Sequence, residues 1–272
     1  MRRALENYAS YRKSGDRAAL GRFIVPVGRL EELEREAEGL FGGELWRLSA
    51  LVAGDVADSV EEILDFNRRH RTEAIVDVAE LKASGEAEID NQSRVVPASL
   101  TRYFEIPLTG NVEKLIGSIR VAGCRAKVRT GGVTPDAFPP PAAVIGFIGA
   151  CWRAGVPFKA TAGLHHPLRG EFRLTYESGS PTGLMYGWLN VFYAAALLTR
   201  GESEPRAQAA LEERDAAAFV FEDDAIVWRG HRVTTSQLEA SRAFAISFGS
   251  CSFREPIDEL ALLTRTATPA GP

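Results

Sequence analysis

The stretch AAVIGFIGACWRAGVPFKATAG, residues 142–163, contains both parts of the unit that decides the fold. Its first part, residues 142–154, repeats apolar side chains at the three- and four-residue spacing of an amphipathic helix. Its last part, residues 158–162, alternates apolar and polar side chains, as β-strands do. We therefore predict a helix followed directly by a strand.

The same two patterns alternate along the rest of the chain. Helical spacing also marks residues 56–69 and 112–121. Strand patterns rich in Val, Ile and Phe cover residues 23–27, 45–53, 74–79, 103–108 and 126–130, with weaker ones at 218–221 and 245–248. Strands that alternate with helices are typical of parallel sheets.

Eight such units in about 250 residues match the usual size of a (β/α)8 barrel. An open doubly wound sheet is the alternative, but Val25-Pro26-Val27-Gly28 stands where a dinucleotide-binding glycine motif would follow the first strand. Charged residues also alternate within the strands, which a sheet covered on both faces tolerates poorly. We predict an α/β TIM-like barrel that is irregular or incomplete at strands seven and eight, because residues 219–233 have the pattern of a hairpin turning at 222–225.

Three regions follow from this prediction. Residues 1–20 are expected to form a cap helix over the closed end of the barrel, residues 21–265 the barrel itself, and residues 266–272 a disordered tail. Two long connections, residues 82–100 and 164–187, interrupt the alternation of strands and helices. Long connections of this kind often serve as lids or binding loops.

Composition excludes several classes of protein. With 45% hydrophobic and 25% charged residues, the 272-residue chain has the profile of a water-soluble globular protein. A net charge of -4 argues against nucleic-acid binding, which needs a basic surface. The polar N-terminus and the lack of a long apolar run predict neither export nor a membrane anchor. Cys124, Cys151 and Cys251 form no C-x-x-C pair, which fits a reducing cytoplasm without disulfides or structural zinc.

Charged side chains occupy the strand face that the apolar residues leave free. If the apolar residues face the helices, the opposite, interior face receives Asp77, Glu105, Lys127, Arg129 and Lys159. Buried charges are costly unless they are paired or open onto a wet pocket. Three cations against two carboxylates leave a positive surplus, which predicts a small anionic partner such as a phosphorylated or carboxylated metabolite.

Residues at the carboxyl ends of the strands are candidates for substrate binding, because active sites of barrels lie there. Small and hydroxyl-bearing residues at these ends allow backbone N–H groups to approach a phosphate. Together with Arg129, they are Thr130, Gly131, Gly132, Thr161, Gly163, Gly249 and Ser250.

His165 and His166 follow the sixth strand, and we expect them to belong to a lid that contacts the substrate. Neighbouring residues of a strand point to opposite faces, so at most one of them is expected to face the site. The chain has no His-x-His or His-x-x-x-His spacing here, and we predict no metal.

Lysine is rare in this chain, which has 32 basic residues but only Lys13, Lys82, Lys114, Lys127 and Lys159. Three of them, Lys82, Lys127 and Lys159, fall on or next to predicted barrel strands. Arginine keeps its proton, whereas a desolvated lysine beside other cations has its pKa lowered toward neutrality. The placement of the lysines therefore predicts Schiff-base chemistry.

Residues 154–163, AGVPFKATAG, resemble the sixth-strand motif of class I aldolases of the deoxyribose-phosphate aldolase type. The resemblance implies that Lys159 forms a Schiff base, that a second lysine activates it and that an acidic residue transfers protons. By position, Lys127 would be the second lysine, and Asp77 or Glu105 the acid. The chain departs from the family after Gly163, where Leu-His-His-Pro follows, and the family's second lysine lies on a later strand.

Two other interpretations stay open. Glycine-ended strands are similar to those of quinolinate phosphoribosyltransferase-type barrels, which implies binding of a dicarboxylate and a phosphoribosyl donor. Alternatively, the charged interior is a salt-bridge cluster in a noncatalytic ligand-binding or scaffold barrel. The leading prediction is a cytoplasmic carbon-carbon lyase, or an enzyme of related carbonyl chemistry, without a cofactor.

Two further features have structural interpretations. Residues 188–198 are apolar nearly all round, which predicts a buried helix or a contact in a homo-oligomer. Cys251 stands near a turn, where a lone cysteine is usually a small packed residue and less often a nucleophile.

Overall fold

A computed structural model describes residues 1–266 of the chain, which divide into two compact units. The first unit comprises Met1–Pro107 and Gly117–Arg125, and the second comprises Leu108–Ile116 and the chain from Ala126 onward. In the part of the chain that the structure describes, no helix is both long and apolar enough to cross a membrane.

The first unit alternates helices and strands. Its order is α1 (Arg2–Tyr11), β1 (Phe23–Pro26), α2 (Leu30–Glu36), β2 (Trp46–Leu51), α3 (Val56–His70), β3 (Ala74–Lys82), α4 (Glu86–Val95) and β4 (Thr101–Glu105). Each strand pairs in parallel with the next, in the order β1-β2-β3-β4. The side chain of Asp55 caps α3 by accepting hydrogen bonds from the N–H groups of Ala57 and Asp58.

The two faces of these four strands differ in polarity. One face is mostly apolar and buried, and it includes Leu48, Ala50, Val76, Ala79, Leu81 and Phe104. Arg102, the register partner of Ala79, is the exception, and its guanidinium donates to backbone carbonyls of Ser93 and Ala122. The other face carries Ser49, Glu80 and Glu105. A β-bulge at Asp77 shifts the alternation within β3, because the pairing passes from Leu48 with Val76 to Ser49 with Val78.

Helix α1 packs at the amino ends of the first two strands. The ring of Tyr8 lies 5.4 Å from that of Phe23 and 5.0 Å from that of Trp46, and its hydroxyl donates to the carbonyl of Gly21. The predicted helix is shorter than expected, since α1 ends at Tyr11 and a separate 3-10 helix covers Gly15–Ala19.

The second unit combines parallel and antiparallel pairing. Helix α5 (Val112–Val121) and strand β5 (Arg125–Arg129) each have residues in both units. The order continues with α6 (Pro141–Ala154), β6 (Phe158–Thr161), β7 (Gly170–Arg173), β8 (Thr182–Met185), α7 (Trp188–Thr199), α8 (Glu204–Glu212), β9 (Phe219–Glu222), β10 (Ala225–Trp228), β11 (His231–Thr234), α9 (Thr235–Arg242), β12 (Ala245–Gly249) and α10 (Arg254–Thr266).

Strand β6 pairs in parallel with β5 on one side and with β12 on the other. Helix α6 before it begins with a proline at its amino terminus and ends at Gly155, whose φ of 66° is a left-handed conformation that glycine adopts without strain. Helix α7 is buried from Leu189 to Leu198, which confirms the prediction of a buried helix.

The predicted alternation of parallel strands and helices is confirmed for β1 to β6. Residues 245–248 also form a parallel strand, β12. The hairpin predicted within residues 219–233 is confirmed, since β9 pairs antiparallel with β10 and the strands turn between Glu222 and Ala225. The weak strand pattern at 218–221 belongs to this hairpin and not to the parallel strands, and β11 also pairs antiparallel with β10. Residues 1–266 therefore contain four parallel strands in the first unit and three in the second, one fewer than a closed eight-stranded barrel requires.

The two predicted long connections contain regular structure. Helix α4 lies within residues 82–100, where the run EAEIDNQSRV has few apolar residues to reveal a helical stripe. Strands β7 and β8 form an antiparallel hairpin within residues 164–187. Of the predicted tail, Thr266 ends α10 and residues 267–272 lie outside the described residues. The assignment of residues 21–265 to one barrel domain stays a prediction.

A buried carboxylate holds the end of α8 to the antiparallel strands. Glu213 accepts hydrogen bonds from the indole N–H of Trp228 at 3.0 Å and from Nε of Arg229 at 2.5 Å. The backbone N–H groups of Arg214 and Asp215 also donate to it. Burial alone would raise the pKa of Glu213, but these hydrogen bonds outweigh burial and lower it to about 2.

We expect Glu213 to make folding stability depend on pH. Because its pKa is lower in the folded chain, its contribution is present above about pH 4.5 and is lost as the pH falls towards 2, and it amounts to about 3 kcal/mol. Urea unfolding between pH 7 and pH 2 should show this loss in the natural chain and not in Glu213→Gln. The exposed Glu239→Gln is the control, and parallel stability curves for all three chains would contradict the assignment.

Candidate functional site

Lys127 and Lys159 lie side by side on β5 and β6. They are register partners, so their side chains leave the same face of neighbouring strands, about 4.8 Å apart at the backbone. Only 7% of Lys127 and 6% of Lys159 is exposed. The apolar Val128 and Ala160 face the opposite side and are fully buried, as the alternation predicted.

Four more residues share the face of the two lysines. Ser247 of β12 is the register partner of Lys159 on the other side of β6. Nearer the carboxyl ends of the strands, Arg129, Thr161 and Gly249 are paired in one row. Arg129 is exposed, so its guanidinium is accessible to an anion.

The carboxyl ends of β5 and β6 are tied together by Thr130. Its hydroxyl donates to the carbonyls of Thr161, at 3.2 Å, and Ala162, at 2.7 Å. Ala162 has a φ of 68°, which is a strained conformation for a residue with a Cβ, and Gly163 follows with a φ of 73°.

An aromatic ring explains the glycines at these strand ends. A Cβ on Gly131 would lie 2.4 Å from the ring of Phe138, and one on Gly163 would lie 3.0 Å from the same ring. A Cβ on Gly132 would meet that of Ala137 at 2.6 Å. Packing within the chain thus accounts for these three glycines, which the sequence had suggested as part of a phosphate-binding turn.

Asp77 lies in the amino-terminal half of β3, among arginines. Arg22 binds both of its carboxylate oxygens, at 2.5 and 2.9 Å, and Arg47 lies 2.6 Å from one of them. Burial alone would raise the pKa of Asp77, but the hydrogen bonds from the two arginines outweigh burial and lower it. Asp77 is thus separated along β3 from the carboxyl end of the strand, where the sequence placed it with Glu105.

Glu105 ends β4, and its register partner Lys82 ends β3 with its amine 3.9 Å away. Glu80 lies on the same face of β3, is 97% buried and accepts a hydrogen bond of 2.5 Å from the hydroxyl of Ser49. The sequence prediction missed Glu80 because it ended the strand at residue 79. Uninterrupted alternation would have placed Glu80 on the apolar face with Val76 and Val78, because the bulge at Asp77 leaves no signal in the sequence.

His165 and His166 both contact helix α10. His165 Nδ1 lies 3.0 Å from a carboxylate oxygen of Glu255, and His166 Nδ1 lies 2.8 Å from one of Glu259. Residues 165 and 166 are not in a strand, so the alternation on which we based the expectation that at most one histidine faces the site does not apply to them, and their contact with a substrate stays a prediction. Glu255 and Glu259 are one helical turn apart, so each carboxylate contacts one of the two imidazole rings.

Cys251 is exposed, which contradicts the expectation of a small packed residue. Its Sγ lies 3.5 Å from Nε2 of His165, whose Nδ1 contacts Glu255. The hydrogen bond with His165 lowers the pKa of the thiol, against the effect of burial. The same hydrogen bond, with help from Glu255, raises the pKa of His165. The pair therefore favours a thiolate beside an imidazolium.

Further polar side chains surround the cluster formed by Cys251, His165 and Glu255. The hydroxyl of Tyr176 donates to Glu255 at 2.8 Å, and Oγ of Ser250 lies 3.5 Å from Nδ1 of His165. Among residues 1–266, no group of three or more potential metal ligands has an arrangement that could hold a metal ion. Sequence spacing gave no signal for the cluster, because its members come from segments that are far apart in the chain.

Neither the models of known protein families nor the curated proteins include a match to this chain.

The strained backbone at Ala162 generates a prediction. Replacing Ala162 with Gly removes the Cβ that disfavours a positive φ, so we expect the free energy of unfolding to rise by up to about 1 kcal/mol. The matched control is Ala160→Gly in β6, where the same change removes a buried methyl group and should cost about 1 kcal/mol or more. Urea unfolding measures both, and an equal loss in the two variants would contradict the strain at Ala162.

Proposed function

We propose that the chain is a cytoplasmic enzyme that forms a Schiff base between Lys159 and the carbonyl group of a small anionic metabolite. Carbon-carbon bond cleavage, or related carbonyl chemistry, is the proposed reaction. The observation that carries the proposal is the position of Lys127 directly beside Lys159, on one face of β5 and β6 and more than 90% buried. The TIM-like class of fold is part of the proposal, since parallel strands alternate with helices.

The lysine pair supports this chemistry for a physical reason. A lysine becomes a nucleophile when it is desolvated or lies next to another cationic group. Lys159 meets both conditions, since its side chain is buried and Lys127 is its register partner. Arginine in either position would not serve as the nucleophile, because it keeps its proton.

The proposed reaction has two stages, Schiff-base formation and carbon-carbon bond cleavage. The neutral amine of Lys159 adds to the carbonyl carbon, the carbonyl oxygen takes one proton from the amine and one from solvent and leaves as water, and an iminium remains. When the bond between the α- and β-carbons breaks, the hydroxyl group on the β-carbon loses its proton to solvent, that fragment leaves as an aldehyde, and the iminium takes up the electron pair and becomes an enamine. Protonation of the enamine and hydrolysis then release the second product and regenerate Lys159. Arg129, exposed on the same face, would bind the anionic group of the substrate. Thr161 is the register partner of Arg129, and Ser247 is the register partner of Lys159.

The acidic partner is not assigned by this proposal. Glu105 and Asp77, which the sequence suggested as proton shuttles, belong to the first unit, whereas both lysines belong to the second. Their role in proton transfer stays a prediction.

Borohydride trapping tests the proposal directly. Incubation with a panel of phosphorylated and carboxylated aldehydes and ketones, followed by reduction and peptide mass spectrometry, should place a secondary-amine adduct at Lys159. Lys159→Arg should abolish that adduct, and Lys127→Met should slow its formation roughly tenfold or more at neutral pH. Lys82→Arg changes a lysine that is 78% exposed and should leave the adduct unchanged. Failure of every carbonyl compound to label Lys159, or labelling spread evenly over the exposed lysines, would refute the proposal.

A further inference from the structure

A second site in the same unit has a different chemistry. Cys251 follows β12, three residues before α10 begins, and its thiol is exposed, whereas Cys124 and Cys151 are buried. The amino end of a helix carries a partial positive charge, which favours a thiolate nearby. Cys251 is thus the reactive thiol among the three cysteines.

Cys251, His165 and Glu255 form a triad of side chains in contact. Nε2 of His165 lies 3.5 Å and Nδ1 lies 3.8 Å from the sulfur, and Nδ1 also lies 3.0 Å from Glu255. The histidine can exchange a proton with the sulfur, and the carboxylate holds the imidazole ring in place. Tyr176 donates to the same oxygen of Glu255 and so helps to hold the carboxylate in place.

An apolar groove lies next to the triad. His166 and Glu259, the neighbours of His165 in the chain and of Glu255 on the helix, are at its polar end. Its walls are formed by Pro167, Phe172, Leu262 and Leu263, and its volume is about 270 Å³. The ring of Phe172 stacks on that of His166 at 3.4 Å, which extends the apolar surface up to the histidines. A groove of this composition suits an acyl chain rather than a second charged group.

We propose that Cys251, His165 and Glu255 form a catalytic site that takes up acyl groups from activated esters or thioesters of apolar carboxylic acids. The thiolate adds to the acyl carbonyl carbon, and the bond to the leaving oxygen or sulfur breaks. The leaving group takes the proton of the His165 imidazolium, and a thioester at Cys251 remains. Water, which loses a proton to His165, then attacks the thioester and releases the carboxylic acid and the thiol.

The alkylation rate of Cys251 tests the activation of the thiol. In the natural chain, the rate at which iodoacetamide labels Cys251 should fall less between about pH 8 and about pH 6 than it does in His165→Gln, because His165 contacts the sulfur. In His165→Gln the rate should fall roughly a hundredfold over the same interval, as for a thiol with an ordinary pKa of about 8.5. Buried Cys124 and Cys151 are internal controls in the same digest. Equal pH dependence in both chains would overturn the proposal.

Hydrolysis of p-nitrophenyl hexanoate tests the acyl transfer itself. The natural chain should release one equivalent of p-nitrophenol rapidly, carry one hexanoyl group on Cys251, and then turn over slowly. Cys251→Ser and His165→Gln should each reduce the rapid phase roughly a hundredfold, and Glu255→Gln roughly tenfold. His231→Gln, in a histidine stacked on Trp228 outside the cluster, is the matched control and should leave it unchanged.

A substitution in the groove tests whether it binds the acyl chain. Leu262 is 62% exposed, so Leu262→Lys should fold normally and should lower kcat/KM for the hexanoate several-fold relative to the acetate. Fast alkylation of Cys251 without any acyl adduct would overturn the acyl-transfer proposal, as would unchanged hydrolysis by Cys251→Ser. The Schiff-base proposal does not depend on these outcomes, because Lys159 takes no part in them.

Discussion

Charged side chains on one face of the parallel strands are the constraint on which both units depend. The opposite face is mostly apolar, with Leu48 and Val76 in the first unit and Val128 and Ala160 in the second. Burying an ionised group away from water is strongly unfavourable unless other polar groups take the place of the water. Glu80, which accepts a hydrogen bond from Ser49, shows how the chain meets this requirement. The apolar face is therefore the one that can be buried without such partners, whereas the charged face needs polar groups or solvent beside it.

The sequence predicts those parts of the fold that depend on local periodicity. Strands β1 to β6 and helix α6 show clear alternation or helical spacing, and the side of Lys159 follows from its apolar neighbours. Three features escaped this reasoning for separate physical reasons. The bulge at Asp77 shifts the alternation and moves Glu80 onto the polar face. Helix α4 has almost no apolar stripe. The predicted hairpin at residues 219–233 has a third strand, because the chain turns again at Arg229 and Gly230 and β11 pairs antiparallel with β10.

The candidate sites differ in how far the sequence could reveal them. Lys127 and Lys159 each lie in a regular strand, so the face that each side chain occupies can be predicted by counting residues along the strand. Cys251, His165 and Glu255 meet through irregular segments, and no spacing rule connects them. The two sites nonetheless share one strand, because β12 carries Ser247 beside Lys159 and leads directly to Cys251. The position of β12 therefore affects both sites.

The late position of β12 in the chain also matters during synthesis on the ribosome. Residues 162–244 must be made after β6 before β12 can cover the open edge of β6. Until then that edge exposes unpaired backbone groups, which are the usual starting point for aggregation of nascent chains. Lys159, in the middle of this short strand, places a charge on it, and charged residues are a common protection of exposed strand edges. A side chain proposed for catalysis in the finished protein can thus also keep the unfinished chain from associating with other copies.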